Sequence, residues 1–332
     1  DLLHLSPHST NLFHKMICMS GAAECRWANT QSMPVHCRKR AVRLGVTDFS
    51  DSEKVLADLR KLPAISFVTN SMDSDKDDDV DIETGPYVDG DFLPNSLDEL
   101  RVKAKPKAIL AGVTKEEGLF FMLGMGINEA TRETVIRSAI HEAEDEEKLA
   151  AEIHRRFITD NKSNAPLGRK IANIASDYHI NLGTLELCRK TVAIQEEPVY
   201  LYSFVHWNPD TLGALLPFVP LRDVTHACEL YYLFKKPVLS EKIALNDKDR
   251  RVSALFTTTL TNFAKFGNPN GARPDRSDLS VPWIAVSSEN HERNFVFTSG
   301  SPEMKEQLFE GRTAAFILLV DQHRPSHDKK FL

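Results

Sequence analysis

The chain has 332 residues, of which 42% are hydrophobic and 27% are charged, a balance that excludes disordered, collagenous and fibrous proteins. Its 41 Lys and Arg residues against 47 Asp and Glu residues give a net charge of -6, which disfavours a nucleic-acid partner. The longest apolar stretches, residues 213–221 and 313–320, are far shorter than the ~20 residues of a membrane-spanning helix. We therefore expect one large globular domain or two smaller ones, with neither a nucleic-acid partner nor a membrane span.

The chain contains five cysteines: Cys18, Cys25, Cys37, Cys188 and Cys228. They are too few for a disulfide scaffold, and none forms the C-x-x-C pair of a tetrahedral metal centre, so we predict no metal site. The acidic run at residues 73–81 lacks the glycine and the terminal glutamate of a calcium loop, and we interpret it as a solvated loop.

Strand-like and helix-like segments alternate along the chain, which favours a mostly parallel sheet with helices on its faces, an α/β fold. The predicted strands are residues 15–20, 107–113 and 198–205. The predicted helices are residues 52–62, 115–123, 129–140, 145–158, 167–179, 182–196 and 250–266. We expect the helical block at about residues 128–197 to cap the sheet or to form a helical subdomain.

An acidic residue and a histidine follow two of the predicted strands. Glu117 lies just beyond the strand at 107–113, and His226 lies in the connection after the strand at 198–205. This order is the one in which an α/β-hydrolase supplies the carboxylate that orients its catalytic histidine, and then the histidine. We therefore expect the two side chains, 109 positions apart, to meet at one edge of the sheet. Spacing alone leaves open the alternative of a structural histidine and a surface glutamate.

Several short motifs stand in a fixed order along nearly the whole chain. They are residues 5–7 (LSP), 19–21 (MSG), 86–94 (PYVDGDFLP), 112–118 (GVTKEEG), 224–230 (VTHACEL), 262–270 (NFAKFGNPN) and 281–283 (VPW). In this order they resemble the type B carboxylesterase family, which includes acetylcholinesterases and insect and nematode esterases.

The resemblance implies an α/β-hydrolase fold, a small-molecule carboxylic ester as substrate and no cofactor. It places the acid of a Ser-His-Glu triad on Glu117 and the histidine on His226. It also places Trp27 in the wall of the substrate pocket, and Ser20 behind the triad as a supporting group rather than the attacking one. Secretion or an extracellular location is favoured by the family alone.

The G-x-S-x-G motif that holds the family's nucleophile does not occur in the chain. The resemblance therefore predicts that residues 1–332 are the C-terminal part of the domain, with the serine and the oxyanion hole upstream of Asp1. We expect this chain alone to be inert toward esters. Cys228, two positions from His226, is either a substitute nucleophile or a small buried filler.

A non-catalytic, adhesion-type esterase-like domain that binds a partner protein is the alternative function. The chain also departs from the family pattern at two positions. Asp58 stands near the position of an expected disulfide cysteine, which leaves the compartment open, and Ala227 stands where many members have glycine. The residue at the upstream nucleophile position would decide between hydrolysis and adhesion.

Overall fold

The centre of the molecule is a sheet that is parallel apart from its last strand. The computed structural model describes residues 1–29, 33–69, 85–140, 143–160, 165–235, 245–273 and 275–324, so the acidic run at 73–81 lies outside it. The strands, in spatial order, are β1 (Lys15–Met19), β2 (Ala108–Thr114), β3 (Val199–Phe204), β4 (Asn294–Phe297) and β5 (Glu303–Lys305). Strands β1 to β4 run parallel and β5 runs antiparallel to β4, which confirms the predicted α/β class.

Helices surround this sheet. The α-helices of the described residues are α1 (Leu2–Leu5), α2 (Met33–Arg43), α3 (Ser52–Leu59), α4 (Ala64–Thr69), α5 (Leu97–Lys103), α6 (Glu129–Ile140), α7 (Glu146–Ile153), α8 (Leu167–Ser176), α9 (Leu182–Val192), α10 (Leu230–Phe234), α11 (Asp247–Phe266) and α12 (Arg312–Gln322). In this part of the chain no helix has both the length and the apolar character that crossing a bilayer requires.

Every residue of β2 and β3 is buried, because helices cover both faces of the sheet. Alternate side chains of the two strands pack against α11 on one face. The remaining side chains pack against α9 on the other face. The two strands therefore form a rigid centre, and the residues at their carboxyl ends are held in place relative to each other.

The predicted strands and most of the predicted helices are present, with differences of a few residues at their ends. The helix predicted at 115–123 is wrong: the chain makes a single 3-10 turn at Glu117–Leu119, followed by turns. Gly124 then adopts a left-handed φ of 76°, which reverses the chain before a helix can extend. The short strands β4 and β5 were not predicted, because they offer too few residues for a period to show.

Gly118 lets this turn press directly against α8. A Cβ atom placed on Gly118 would lie 2.3 Å from the carbonyl oxygen of Ala172 and 2.5 Å from the backbone nitrogen of Ser176. The amide of Gly118 also donates a hydrogen bond of 2.8 Å to Ser176 Oγ. Since Glu117 precedes this glycine, the same contact fixes the backbone that carries the acid.

We expect Gly118→Ala to lower the free energy of unfolding by about 1–3 kcal/mol, because backbone atoms of α8 would have to move. Chemical denaturation of the purified chain measures the change. Gly300→Ala is the matched control, since a Cβ there would meet nothing within 4 Å. Equal stability of the two variants would show that the turn and α8 are not in close contact.

Candidate active site

A backbone contact brings the segment before His226 to the end of β2. The amide of Glu116 donates a hydrogen bond of 2.9 Å to the carbonyl oxygen of Val224. Glu116 and Thr225 form an isolated parallel bridge, which continues the pairing of the sheet for one more step. Because Glu117 follows Glu116 and His226 follows Thr225, the bridge places both side chains at the same edge.

Charged side chains tie the same junction together. Lys115 Nζ lies 2.8 Å from Asp223 Oδ2, and Arg169 of α8 pairs with both Asp223 and Glu116. Sequence analysis did not identify this network. Lys115 and Glu116 adjoin the predicted acid, and Asp223 lies three positions before the predicted histidine, but no spacing in the sequence indicates that Arg169 joins them.

His226 and Glu117 are in direct contact. His226 Nδ1 lies 2.7 Å from Glu117 Oε2, and the Glu117 side chain is fully buried, whereas 27% of the His226 side chain is exposed. A carboxylate accepts hydrogen bonds, so the proton of a neutral His226 resides on Nδ1 and the lone pair on Nε2. Within the part of the chain that the structure describes, no group bonds to Nε2. This nitrogen can therefore accept a proton.

Burial and Glu117 act in opposite directions on the pKa of His226. Burial lowers it, but the hydrogen bond from Nδ1 and the negative charge of Glu117 outweigh burial and raise the pKa above its ordinary value of 6.5. The contact with Glu117 thus favours a protonated imidazole, as a histidine that alternately accepts and releases a proton requires.

Further donors fix the orientation of Glu117. Ser20 Oγ donates to Glu117 Oε1 at 2.6 Å, and the backbone amide of Thr114 donates to the same oxygen at 2.5 Å. Ser20 follows β1 and holds a left-handed φ of 55°, which is a costly conformation for a residue with a Cβ. The structure therefore places Ser20 next to the predicted acid and behind it, as seen from His226.

Glu229 is a second buried carboxyl group at this site, and sequence analysis gave it no role. Its Oε1 lies 3.5 Å from Ser20 Oγ, and the residue is only 1% exposed. Burial, together with the charge of Glu117, raises the pKa of Glu229 to about 8. Glu229 therefore holds its proton to a higher pH than an ordinary glutamic acid does.

Between His226 and Glu229, Ala227 has a strained backbone and Cys228 is chemically unreactive. Ala227 has a left-handed φ of 67°, which costs alanine roughly 1–2 kcal/mol and agrees with the glycine of many family members at this position. Burial raises the pKa of Cys228 to about 12, so this residue remains a thiol. A buried thiol is a poor nucleophile, which argues for the filler role of Cys228 and against the substitute nucleophile.

Trp27 lies beside the same edge of the sheet. Its Nε1 donates a hydrogen bond of 2.8 Å to the carbonyl oxygen of His179, and its ring lies against Gly21, where an added Cβ would be 3.2 Å from Cη2. Gly21 directly follows Ser20, so the indole is a neighbour of the group that holds Glu117. Its position is compatible with a pocket wall.

An apolar cavity of about 40 Å³ borders His226. Its apolar wall is formed by Phe120, Leu123, Leu212, Leu215, Val219 and Cys228. The ring of Phe120 lies 5.2 Å from that of His226, centroid to centroid. An apolar group placed in this cavity would lie next to the proton-accepting imidazole.

The order of the parallel strands, with an acid after β2 and a histidine after β3, is that of the α/β-hydrolases. The sequence profile of the Carboxylesterase family matches residues 1–316. The chain therefore belongs to the Carboxylesterase family, which confirms the resemblance to the type B carboxylesterases.

Individual relatives agree with this assignment. The chain is 29% identical to esterase cest-33 of Caenorhabditis elegans over 94% of its length, and the match spans 56% of that protein. It is 27% identical to mouse cholinesterase over 86% of its length, and this match spans 48% of the cholinesterase. It is 25% identical to human neuroligin-2 over its whole length, and this match spans 41% of the neuroligin. The chain thus spans about half the length of the curated relatives it matches.

We expect the contribution of Glu229 to the free energy of unfolding to fall as pH rises from 4.5 to about 8, because native Glu229 keeps a proton that the unfolded chain releases. The Glu229→Gln variant has no ionisable group at position 229. Its stability relative to the wild type should therefore increase with pH in this window, by up to about 1.4 kcal/mol per pH unit. Urea titrations across the window measure the difference.

Glu303→Gln, a change of an exposed carboxylate on β5, is the control and should leave the pH dependence of stability as it is. A difference between Glu229→Gln and the wild type that stays constant from pH 4.5 to 8 would show that Glu229 is ionised in the folded protein.

Proposed function

We propose that the protein hydrolyses carboxylic esters through an acyl-enzyme, with His226 as the general base and then the general acid, and Glu117 as the group that orients it. The contact of 2.7 Å between His226 Nδ1 and Glu117 Oε2 carries the proposal, because it fixes the tautomer that leaves Nε2 free to take a proton. Family membership supports the same reaction class.

In this proposal the nucleophile is a serine upstream of Asp1. His226 Nε2 takes the proton of the serine hydroxyl while the serine oxygen attacks the carbonyl carbon, and Glu117 stabilises the imidazolium that forms. The imidazolium then gives its proton to the alcohol that leaves. Water repeats the sequence on the acyl-enzyme, and the carboxylic acid and the free serine are released.

Ser20 and Glu229 act on this reaction through Glu117. Ser20 donates to Glu117 Oε1, and its own oxygen can accept a hydrogen bond from the acid form of Glu229. A second ionised carboxylate at this depth would repel the charge on Glu117. A proton held by Glu229 would therefore leave one negative charge, directed at the imidazole through Oε2.

The surroundings of His226 favour an uncharged apolar substituent on the ester. The cavity beside the imidazole is lined mainly by aliphatic and aromatic side chains, among them Leu212, Leu215 and Phe120. Burial of apolar surface there would contribute about 25 cal/mol for each Å² removed from water. Small-molecule esters with apolar groups are accordingly the substrate class that we propose.

In the full-length protein, we expect His226→Gln and Glu117→Gln each to lower kcat by a factor on the order of 10⁴, since one removes the base and the other the group that fixes its tautomer. Hydrolysis of a chromogenic butyrate ester measures the loss. His8→Gln, a change at an exposed histidine, is the control and should retain full activity. Activity of either triad variant near the wild-type level would contradict the proposed roles.

The titration of His226 gives a test that needs no turnover. We expect an NMR titration to place the pKa of His226 above 6.5 in the wild type and to find it lower in Glu117→Gln, where the hydrogen bond and the charge of Glu117 no longer oppose burial. For the wild-type enzyme, kcat/KM should correspondingly fall as pH is lowered through the raised value, because only unprotonated Nε2 accepts the serine proton. An unchanged pKa in Glu117→Gln would show that the carboxylate does not control the imidazole.

A non-catalytic esterase-like domain that binds a partner protein is the second candidate. The match to neuroligin-2, which extends over the whole chain, is compatible with it. A fluorophosphonate probe separates the candidates, since it labels only an activated serine. Labelling of the full-length protein that is lost in His226→Gln supports hydrolysis, whereas a folded full-length protein that remains unlabelled supports the binding role.

A further inference from the structure

His179 is a buried histidine without an assigned role. It lies in the π-helical turn Asp177–Asn181, between α8 and α9. Its ring stacks on Phe121 with a centroid distance of 4.1 Å and an interplanar angle of 20°, and Tyr178 meets it edge-on at 5.0 Å. Only 8% of the residue is exposed.

The described residues do not use the hydrogen-bonding groups of this imidazole. Burial lowers the pKa of His179 to about 4, so the ring is neutral at pH 7 and offers one N–H donor and one nitrogen acceptor. Neither nitrogen bonds to any residue that the structure describes. Stacking on Phe121 requires only a flat ring, which a phenylalanine would also supply.

Two lines of contact connect His179 to the triad residues. Phe121 meets Phe120 edge-on at 5.8 Å, and Phe120 in turn lies 5.2 Å from the ring of His226. On the other side, the carbonyl oxygen of His179 accepts the hydrogen bond from Trp27, whose indole covers the glycine after Ser20. His179 therefore belongs to an aromatic wall, formed with Phe121 and Trp27, that begins at the triad.

We infer that His179 is a specificity-determining residue, whose imidazole bonds a hydroxyl or carbonyl oxygen on the ester substituent that lies along this wall. The inference rests on the proposed esterase function and extends it: the preferred substrate carries a polar oxygen on one substituent and an apolar group on the other. A neutral imidazole suits a hydroxyl in particular, because the two groups can each donate and accept. A site built to bond such a group disfavours the analogue that lacks it.

The test compares matched esters in the full-length protein. One pair is p-nitrophenyl butyrate and p-nitrophenyl 3-hydroxybutyrate, which differ by a hydroxyl in the acyl chain. The other pair is butyl butyrate and 4-hydroxybutyl butyrate, which differ in the alcohol. In one of the pairs, we expect His179→Phe to lower kcat/KM for the hydroxylated ester by about 3- to 10-fold, and to change that of the plain ester less than twofold.

His8→Phe is the matched control, because His8 also stacks on a phenylalanine, Phe92, but is exposed. It should change neither ester in either pair. The amides that correspond to the four esters give a readout without turnover: by calorimetry, one hydroxylated amide should bind His179→Phe about 3- to 10-fold more weakly than the wild type.

The two readouts separate failure of the inference from failure of the proposed function. If the esters are hydrolysed but His179→Phe affects hydroxylated and plain esters equally in both pairs, the inference is wrong and the esterase function stands. If no ester is hydrolysed, the amides decide: selective weakening of a hydroxylated amide supports the His179 contact, and equal binding by both proteins overturns it.

Discussion

One backbone hydrogen bond, from the amide of Glu116 to the carbonyl oxygen of Val224, is the constraint on which the rest of the site depends. It extends the parallel pairing beyond the end of β2 and sets the Glu116–Thr225 bridge. Glu117 and His226 directly follow the two bridged residues, so the backbone itself holds their side chains next to each other. The ion pairs of Arg169 hold the same junction from the side of α8.

The two buried carboxyl groups of the site, Glu117 and Glu229, differ in the number of hydrogen bonds that they receive. Glu117 receives hydrogen bonds from Ser20, from the Thr114 amide and from His226. Glu229 contacts only the Ser20 hydroxyl among these groups, and burial together with the charge of Glu117 raises its pKa. One charge is therefore available to the imidazole, and a second charge that would disturb it is avoided.

Much of the fold and the centre of the site could be predicted, because their patterns are local. Strands β2 and β3 are continuous apolar runs, and the positions of Glu117 and His226 follow from the strand ends and the motifs around them. Arg169 and His179 could not be found in this way. Each lies in a helical segment far along the chain from its partners, and only packing of the helices on the sheet brings them there.

The sequence by itself determined the class of fold, the family and the two residues placed at the centre of the site, because periodicity and motifs are properties of neighbouring residues. Tertiary structure decided the charge states and the surroundings. A thiol at Cys228, a raised pKa at Glu229 and a neutral imidazole at His179 all result from burial among residues distant in sequence. Burial acts on them through the cost of moving charge out of water, which local sequence does not encode.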